Sequence, residues 1–418
     1  MAGNYFIKSF IILLQLLILL SANAADRRRD QFPTGKIAQG HFIVPAPYSL
    51  KGIGSGIAVA GSITNVAGSY SDLGAFVLTG DIEGYGVGLS DNHLIKKSVI
   101  VDVFKSQLNK IKVNSYGSRG MSSSDDNYTI LGLENVTTDY LRIIKTNVKR
   151  DLELSLSIIN SKGKLLNQFD KDGDLITELN SDFNVSDNYL LGLRLDKTDD
   201  FYDPRKGHLF KASINKNGKN NNFVRLDTSY SHYLSVKPIH TWVNHLYYSE
   251  SLILNKPNIS RADTVEDLDV DCDTLQGDKL EDCNNLVEAR HAQSNFGDST
   301  SLGGRGRLRA FPNDRFQGSK TIFFGSEFRW NFSNIMEFFD IYLAQGTKNN
   351  YQFAVFGETG SVVDEKSKLF DQFRSDVGFG FRIVLGSGFV FRLDLASEVD
   401  GNNSAFTAIV GYPWDSLN

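Results

Sequence analysis

Apolar and polar side chains alternate along much of the chain, most regularly in its last third. Segments 321–332, 375–385 and 388–398 each place large apolar residues on one parity and charged residues on the other. A period of two puts these two sets on opposite faces of a β-strand. The alternation therefore predicts an all-β fold of antiparallel strands. Weaker or shorter segments of the same kind lie at 54–65, 74–89, 98–106, 188–196, 208–215, 223–234 and 405–412, and the pattern is blurred from 110 to 187.

Two architectures fit such strands. A soluble sandwich buries its apolar face, whereas a transmembrane barrel turns that face to lipid and keeps the polar face in its lumen. The barrel is favoured because the strands run about 10–13 residues, against about 5–6 in soluble sheets, and because the polar face mixes charges of both signs. Aromatic residues near strand ends also fit an interfacial belt: Trp330, Phe332, Tyr412 and Trp414. We predict a transmembrane antiparallel β-barrel.

The first 24 residues have the parts of a secretory signal peptide. Lys8 precedes the apolar run 10–20, and small residues follow up to Ala24. The run is too short to span about 30 Å of hydrocarbon, which argues against a helical anchor. We predict cleavage after Ala24 and export, a periplasmic linker over 25–40 and a barrel over 41–418. Loss of Lys8 changes the net charge from −5 to −6.

Composition narrows the function classes. With 41% hydrophobic residues and a mean hydropathy of −0.23, the chain is neither disordered nor a helical membrane protein. An acidic exported protein is not expected to bind nucleic acid. The scattered histidines and the absence of a Gly-x-Ser-x-Gly motif indicate no enzyme, and no metal site or cofactor is predicted. The acidic turn 170–174 lacks the glycine and glutamate positions of an EF-hand loop.

The two cysteines lie in an acidic segment, 263–288, that has no strand period. Exported thiols normally pair, so we predict a disulfide between Cys272 and Cys283, with two free surface thiols as the alternative. The segment is interpreted as the solvated part of a long surface loop.

Several motifs follow this loop in a fixed order. Gly303 and Gly304 precede an arginine-rich tip, and later come a Phe-x-Glu-x-Gly motif and a Gly-x-Gly-x-Arg strand. The tip is Leu308, Arg309, Ala310 and Phe311, and the strand motif is Phe356, Glu358 and Gly360. Over about 200–414, this series resembles the BamA/TamA superfamily of outer-membrane assembly barrels, also called the bacterial surface antigen family.

The resemblance implies a sixteen-stranded barrel whose sixth surface loop folds back into the lumen. In that family, the arginine of the tip meets an acidic residue on the thirteenth strand, which here implies a pair between Arg309 and Glu358. Ala310 stands where the family usually has glycine, and Glu358 stands where it usually has aspartate. Family members usually carry periplasmic POTRA modules before the barrel. Since only 25–40 separates the predicted cleavage site from strand-like sequence, we expect a barrel without such modules.

The function implied by the resemblance is transport or insertion of a protein or lipid client at the bacterial outer membrane, without catalysis. Two alternatives stay open, namely a passive diffusion pore and a barrel partner of a separate periplasmic protein or lipase. The predicted location is integral to the outer membrane, with its lipid bilayer as a partner. The sequence names neither the client nor the oligomeric state.

Overall fold

The computed structural model describes residues 40–122, 128–201, 203–218, 222–237, 239–254, 259–268, 272–274, 276–332, 337–341, 344–385 and 390–414. The predicted signal peptide and all but the last residue of the predicted linker lie outside these residues. Among the residues described, no helix is long and apolar enough to cross a membrane.

In the described part of the chain, seventeen antiparallel strands form one sheet that closes on itself, as predicted for the fold class. β12 and β13 pair with successive parts of β14, so together they occupy one barrel position and the barrel has sixteen. The strands are β1 (Gly40–Leu50), β2 (Gly54–Thr64), β3 (Asp72–Gly80), β4 (Glu83–Ile95), β5 (Val99–Tyr116), β6 (Tyr128–Thr146), β7 (Leu152–Phe169), β8 (Leu175–Thr198), β9 (Gly207–Asn217), β10 (Phe223–Val236), β11 (His240–Ile253), β12 (Lys320–Asn331), β13 (Glu337–Ile341), β14 (Ala344–Val363), β15 (Arg374–Leu385), β16 (Val390–Glu398) and β17 (Ser404–Val410).

The two rims of the barrel differ in their connections. Because the number of barrel positions is even, β1 begins and β17 ends at the same rim, which we call the terminal rim. The long connection 254–319 between β11 and β12 leaves the opposite rim, which we call the loop rim. This connection, which we call the long loop, carries helices α1 (Arg261–Leu268) and α2 (Asp278–Phe296).

The two faces of the strands follow the alternation. On β15, Val377 and Phe379 point outward and are 52% and 49% exposed, whereas Asp376 and Arg382 point into the lumen and are 1% and 0% exposed. Such an apolar outer face and charged lumen are what a membrane-spanning barrel requires. Trp330 also lies on the outer face, where it is 54% exposed.

Two sequence-based predictions are wrong. Segment 74–89 is not one strand, because a turn at Asp81 and Ile82 separates β3 from β4, and the Asp81 carboxylate accepts the Ser55 N–H at 2.8 Å. Tyr412 and Trp414 do not lie in an interfacial belt. The chain turns inward after β17, and both side chains are buried in the lumen.

Strands β5 to β8 are 18, 19, 18 and 24 residues long, and they extend past their neighbours at the loop rim. They expose charged side chains there, as shown by Lys112 on β5 and Glu178 on β8. With polar residues on both faces, the apolar alternation is lost. This explains why the sequence pattern is blurred from 110 to 187.

Candidate functional site

The long loop is fastened at the loop rim before it enters the lumen. Arg119, in the β5–β6 connection, donates to both carboxylate oxygens of Asp364 at 3.0 and 2.6 Å and also pairs with Asp298. Burial would lower the pKa of Arg119, but these two carboxylates outweigh it and raise the pKa. Arg119 therefore stays charged and joins three connections of the rim.

Outside the barrel, the same loop is closed on itself by a disulfide. Cys272 and Cys283 are bonded, with their Cα atoms 5.6 Å apart. The bond ties the start of α2 to the short turn that follows α1. It lies outside the lumen and contributes nothing directly to the buried charges described below.

Inside the lumen the loop makes a tight hairpin. Leu302 and Phe316 exchange two backbone hydrogen bonds of 2.9 Å, and both side chains are fully buried. Gly303 and Gly304 have φ of +108° and +93°, which favours glycine. A Cβ on Gly303 would lie 2.2 Å from the carbonyl oxygen of Pro312, so the close approach also excludes a side chain there.

The tip bends at Leu308 rather than at Ala310. Leu308 has φ of +53°, whereas Ala310 is not among the described residues with positive φ. Alanine at this position therefore carries no left-handed strain, although the family it resembles usually has glycine. Leu308, Ala310 and Phe311 are each at most 1% exposed in the apolar core of the lumen.

The structure brings Arg309 and Glu358 together through two hydrogen bonds. The Nε of Arg309 donates to Glu358 Oε1 at 3.0 Å, and the backbone N–H of Arg309 donates to Glu358 Oε2 at 3.0 Å. Both side chains have 0% exposure. One carboxylate thus fixes both the side chain and the main chain of the tip, which sets orientation as well as distance.

Three further carboxylates surround the tip. Arg309 Nη1 donates to Asp394 at 2.8 Å and lies 3.4 Å from Glu327. The backbone N–H of Ala310 donates to Asp376 at 2.8 Å, and Asp376 is the register partner of Glu358 on the neighbouring strand. Consecutive amides of the tip therefore bind consecutive strands of the wall.

The carboxylates are matched by three arginines of the wall. Arg382 and Arg329 donate to Glu327 at 2.6 and 2.8 Å, and Arg392 donates to Asp394 at 2.7 Å. Arginines thus face Glu327, Glu358 and Asp394, a pairing that buried charges need, whereas Asp376 accepts the Ala310 N–H. We call this set the lumen cluster: Arg309, Arg329, Arg382, Arg392, Glu327, Glu358, Asp376 and Asp394.

Apolar and aromatic groups enclose this cluster. The Phe356 ring lies 3.3 Å from the Arg309 guanidinium carbon, within cation–π range. Gly360 leaves room for the loop, because a Cβ there would lie 2.5 Å from Leu302 Cδ1. All three residues of the predicted strand motif thus touch the inserted loop.

The chain that follows β17 reaches the cluster from the terminal rim. Trp414 Nε1 donates to Glu358 Oε1 at 2.9 Å, and the Trp414 ring stacks on His245 with centroids 5.3 Å apart. The hydroxyl of Tyr412 donates to Asp203, in the β8–β9 turn, at 2.8 Å and lies 3.0 Å from Gln352. The lumen is therefore filled from both rims.

The barrel closes at a weak seam between β1 and β17. β1 and β17 share one register pair, Ser49 with Ala408, and two further residues on this edge of β1, His41 and Phe42, pair with Gln345 and Ala344 of β14. By contrast, β1 has eleven pairs with β2. Pro45 and Pro47 of β1 explain the difference. Since proline has no N–H and is tolerated on the edge side of a strand, the missing donors face the seam and not β2.

The sequence located part of this site. Motif order identified Arg309 and Glu358, and the alternation placed Glu327, Asp376 and Asp394 on the polar face without indicating what they contact. The roles of Trp414 and of the β1–β17 seam were missed. Two prolines at alternate positions of β1 were an available signal for the seam, whereas nothing local marks the inward turn of the C-terminal segment.

No protein-family model and no curated protein matches the chain. The solved structures similar to it include BamA from Haemophilus ducreyi lacking POTRA domains 1–3, with 12% identity over 90% of this chain and 69% of that one and a TM-score of 0.47. CdiB from Escherichia coli has 13% identity, a TM-score of 0.49, and 90% and 63% coverage. CdiB from Acinetobacter baumannii has 11% identity, a TM-score of 0.46, and 89% and 59% coverage. The chain thus spans less than two thirds of either CdiB chain.

Proposed function

We propose that this chain is an outer-membrane barrel that inserts or translocates a protein or lipid client without catalysis. The observation that carries the proposal is the combination of a lumen closed by the Arg309 tip with a seam of one register pair, Ser49 with Ala408. The motif series that resembles assembly barrels supports the same function. In this account, the terminal rim faces the periplasm, because outer-membrane barrels have their longer loops outside.

The seam supplies the route by which a client would meet the membrane. An incompletely paired strand edge exposes backbone groups that another strand can bind. In lipid, such groups must be satisfied within protein, so the seam favours either closure or an incoming strand. The buried tip prevents free diffusion through the lumen while the seam is closed.

Depletion of the protein in its own cell, followed by proteomic and lipid analysis of the outer membrane, tests this function. We expect specific outer-membrane proteins or lipids to fall, and wild-type chain to restore them. Arg309→Leu should restore them poorly, whereas Arg261→Leu should restore them fully. Arg261 is a matched control because it pairs with Glu288 on the exposed helices of the loop. An outer membrane of unchanged composition after depletion would contradict the proposal.

A further inference from the structure

Lys51 lies where the long loop and the seam meet. It occupies the turn between β1 and β2 at the loop rim, one residue after β1 ends. Its Nζ donates to the carbonyl oxygen of Ser404 at 2.9 Å and to Asn403 Oδ1 at 3.2 Å, both at the start of β17. The same Nζ donates to the carbonyl oxygen of Ala310, in the buried tip, at 3.3 Å.

The turn that carries Lys51 is held against the loop by its main chain. The carbonyl oxygen of Lys51 accepts the Asn313 N–H at 2.9 Å. Gly52, with φ of +85°, comes so close to Pro312 that a Cβ would lie 3.0 Å from the proline Cβ. The position of the ammonium group therefore depends on the inserted loop and not on β1 alone.

The acceptor on the other side of the seam is also oriented. Asn403 Nδ2 donates to Glu398 Oε2 at 3.0 Å, which turns the amide oxygen toward Lys51. Glu398 in turn accepts from Arg374 Nη1 at 2.9 Å. These contacts hold the Asn403 amide in place for a cation that approaches from β1.

Few other contacts close the seam at this rim. Ser49 Oγ donates to the carbonyl oxygen of Phe406 at 3.2 Å, beside the register pair of Ser49 and Ala408. Hydrogen bonds from an ammonium group are stronger than neutral ones. Lys51 thus supplies a large part of the described contacts between β1 and β17 at the loop rim.

We propose that Lys51 is a positioning residue that couples the buried tip to the seam. When the tip leaves the lumen, the Lys51 ammonium loses its hydrogen bond to the Ala310 carbonyl oxygen. The Lys51 carbonyl oxygen also loses its hydrogen bond from the Asn313 N–H. The contact between β1 and β17 then weakens. Coupling is reciprocal, so opening the seam also loosens the tip. This inference rests on the proposed function, because it assigns the regulation of that same site.

Disulfide formation across the seam measures the coupling. Ser49→Cys with Ala408→Cys places two thiols at the register pair of the seam, and the full chain is reconstituted in phospholipid vesicles and oxidised. Lys51→Met keeps the length of the side chain and removes its donors, so we expect cross-linking to slow about tenfold. Lys51→Arg should remain close to the parent. The control Lys171→Met, in the exposed β7–β8 turn, should change nothing.

A double-mutant cycle separates coupling between the tip and the seam from two independent weakening effects on the seam. Arg309→Leu should slow the cross-link in the parent, and it should add little once Lys51→Met is present. Equal rates for Lys51→Met and the parent, or strictly multiplicative effects of the two changes, would overturn the coupling. If Lys51→Met does not insert, Asn403→Ala takes its place with the same expected slowing, and an unchanged rate overturns the proposal.

This experiment can refute the coupling without refuting the proposed function, and the reverse also holds. The cross-linking rate is read on the purified barrel and needs no client. Loss of coupling with a clear depletion phenotype removes Lys51 from the mechanism and leaves the function. Intact coupling without any depletion phenotype removes the function and leaves a seam controlled by the loop.

Discussion

At the residue scale, the two members of the predicted pair are not equivalent. Arg309 contacts Glu358, Asp394 and Glu327, whereas Glu358 pairs, among the described residues, with the guanidinium of Arg309 alone. Loss of the arginine leaves one buried carboxylate without a cation. Loss of the carboxylate leaves the arginine with two others. The structure therefore makes the arginine the more costly member to remove.

Unfolding free energies of single variants test this asymmetry. Arg309→Leu should cost about 3 kcal/mol, as for a buried pair that loses one partner. Glu358→Gln should cost less, about 2 kcal/mol, since it removes a hydrogen bond to a charged group while Arg309 keeps Asp394 and Glu327. Arg309→Lys should resemble Arg309→Leu, because an ammonium cannot reproduce the fork. Urea unfolding in phospholipid vesicles, followed by tryptophan fluorescence, gives these values. Equal losses for Arg309→Leu and Glu358→Gln would refute the asymmetry.

Gly360 tests the fit of the loop against the wall. Gly360→Ala places a methyl group 2.5 Å from Leu302 Cδ1, so the buried Leu302 side chain of the loop must shift. Gly357→Ala, on the same strand, meets atoms only at 3.9 Å and is the matched control. Protease applied to intact vesicles should cut between 295 and 313 in Gly360→Ala and not in Gly357→Ala. Identical protection of both would show that the loop does not depend on this contact.

At the element scale, the free-energy cost of a charged substitution on the outer face of β16 should depend on its depth in the bilayer. Phe391 lies on that face with Leu393 and Leu395. Leu393→Arg, near the middle of β16, should cost about 2–4 kcal/mol, whereas Ser397→Arg, on the same face near the loop rim, should cost about 0–1 kcal/mol. Unfolding in vesicles measures both. A cost that does not depend on depth would argue against a bilayer around this strand.

The disulfide is an element of the outer loop. Because Cys272 and Cys283 are bonded, a thiol-specific reagent should modify neither without reductant and both after reduction. In the chain-entropy model, so short a closure constrains the unfolded chain by about 3 kcal/mol. We expect reduction to loosen the helices of the long loop and to leave the barrel folded. Efficient labelling of both thiols without reductant would rule the bond out.

The sequence predicts an element well when its two faces have different surroundings. Strands β12, β15 and β16 face lipid on one side and charges on the other, so alternation predicts both the strands and their faces. The alternation does not predict the turn at Asp81, because apolar residues continue on both sides of it. Tyr412 and Trp414 look like interfacial aromatics in the sequence, and only the inward turn of the chain, a tertiary feature, places them in the lumen.

At the scale of the whole molecule, the barrel combines a filled lumen with a weakly paired seam. The tip enters from the loop rim and Trp414 from the terminal rim, and both end on Glu358. The motif series predicts the tip contact in advance. It does not predict the rest of the lumen cluster, because which carboxylate meets which arginine depends on the registers of strands far apart in sequence.

Single-channel conductance in planar phospholipid bilayers reports whether the Arg309 tip closes the lumen. The wild-type barrel should give small or flickering currents, because the loop and the C-terminal segment fill the lumen. Arg309→Leu should give larger and longer openings, and Arg261→Leu should behave as wild type. A wide, steady conductance from the wild-type barrel, unchanged by Arg309→Leu, would contradict the account and favour a passive diffusion pore.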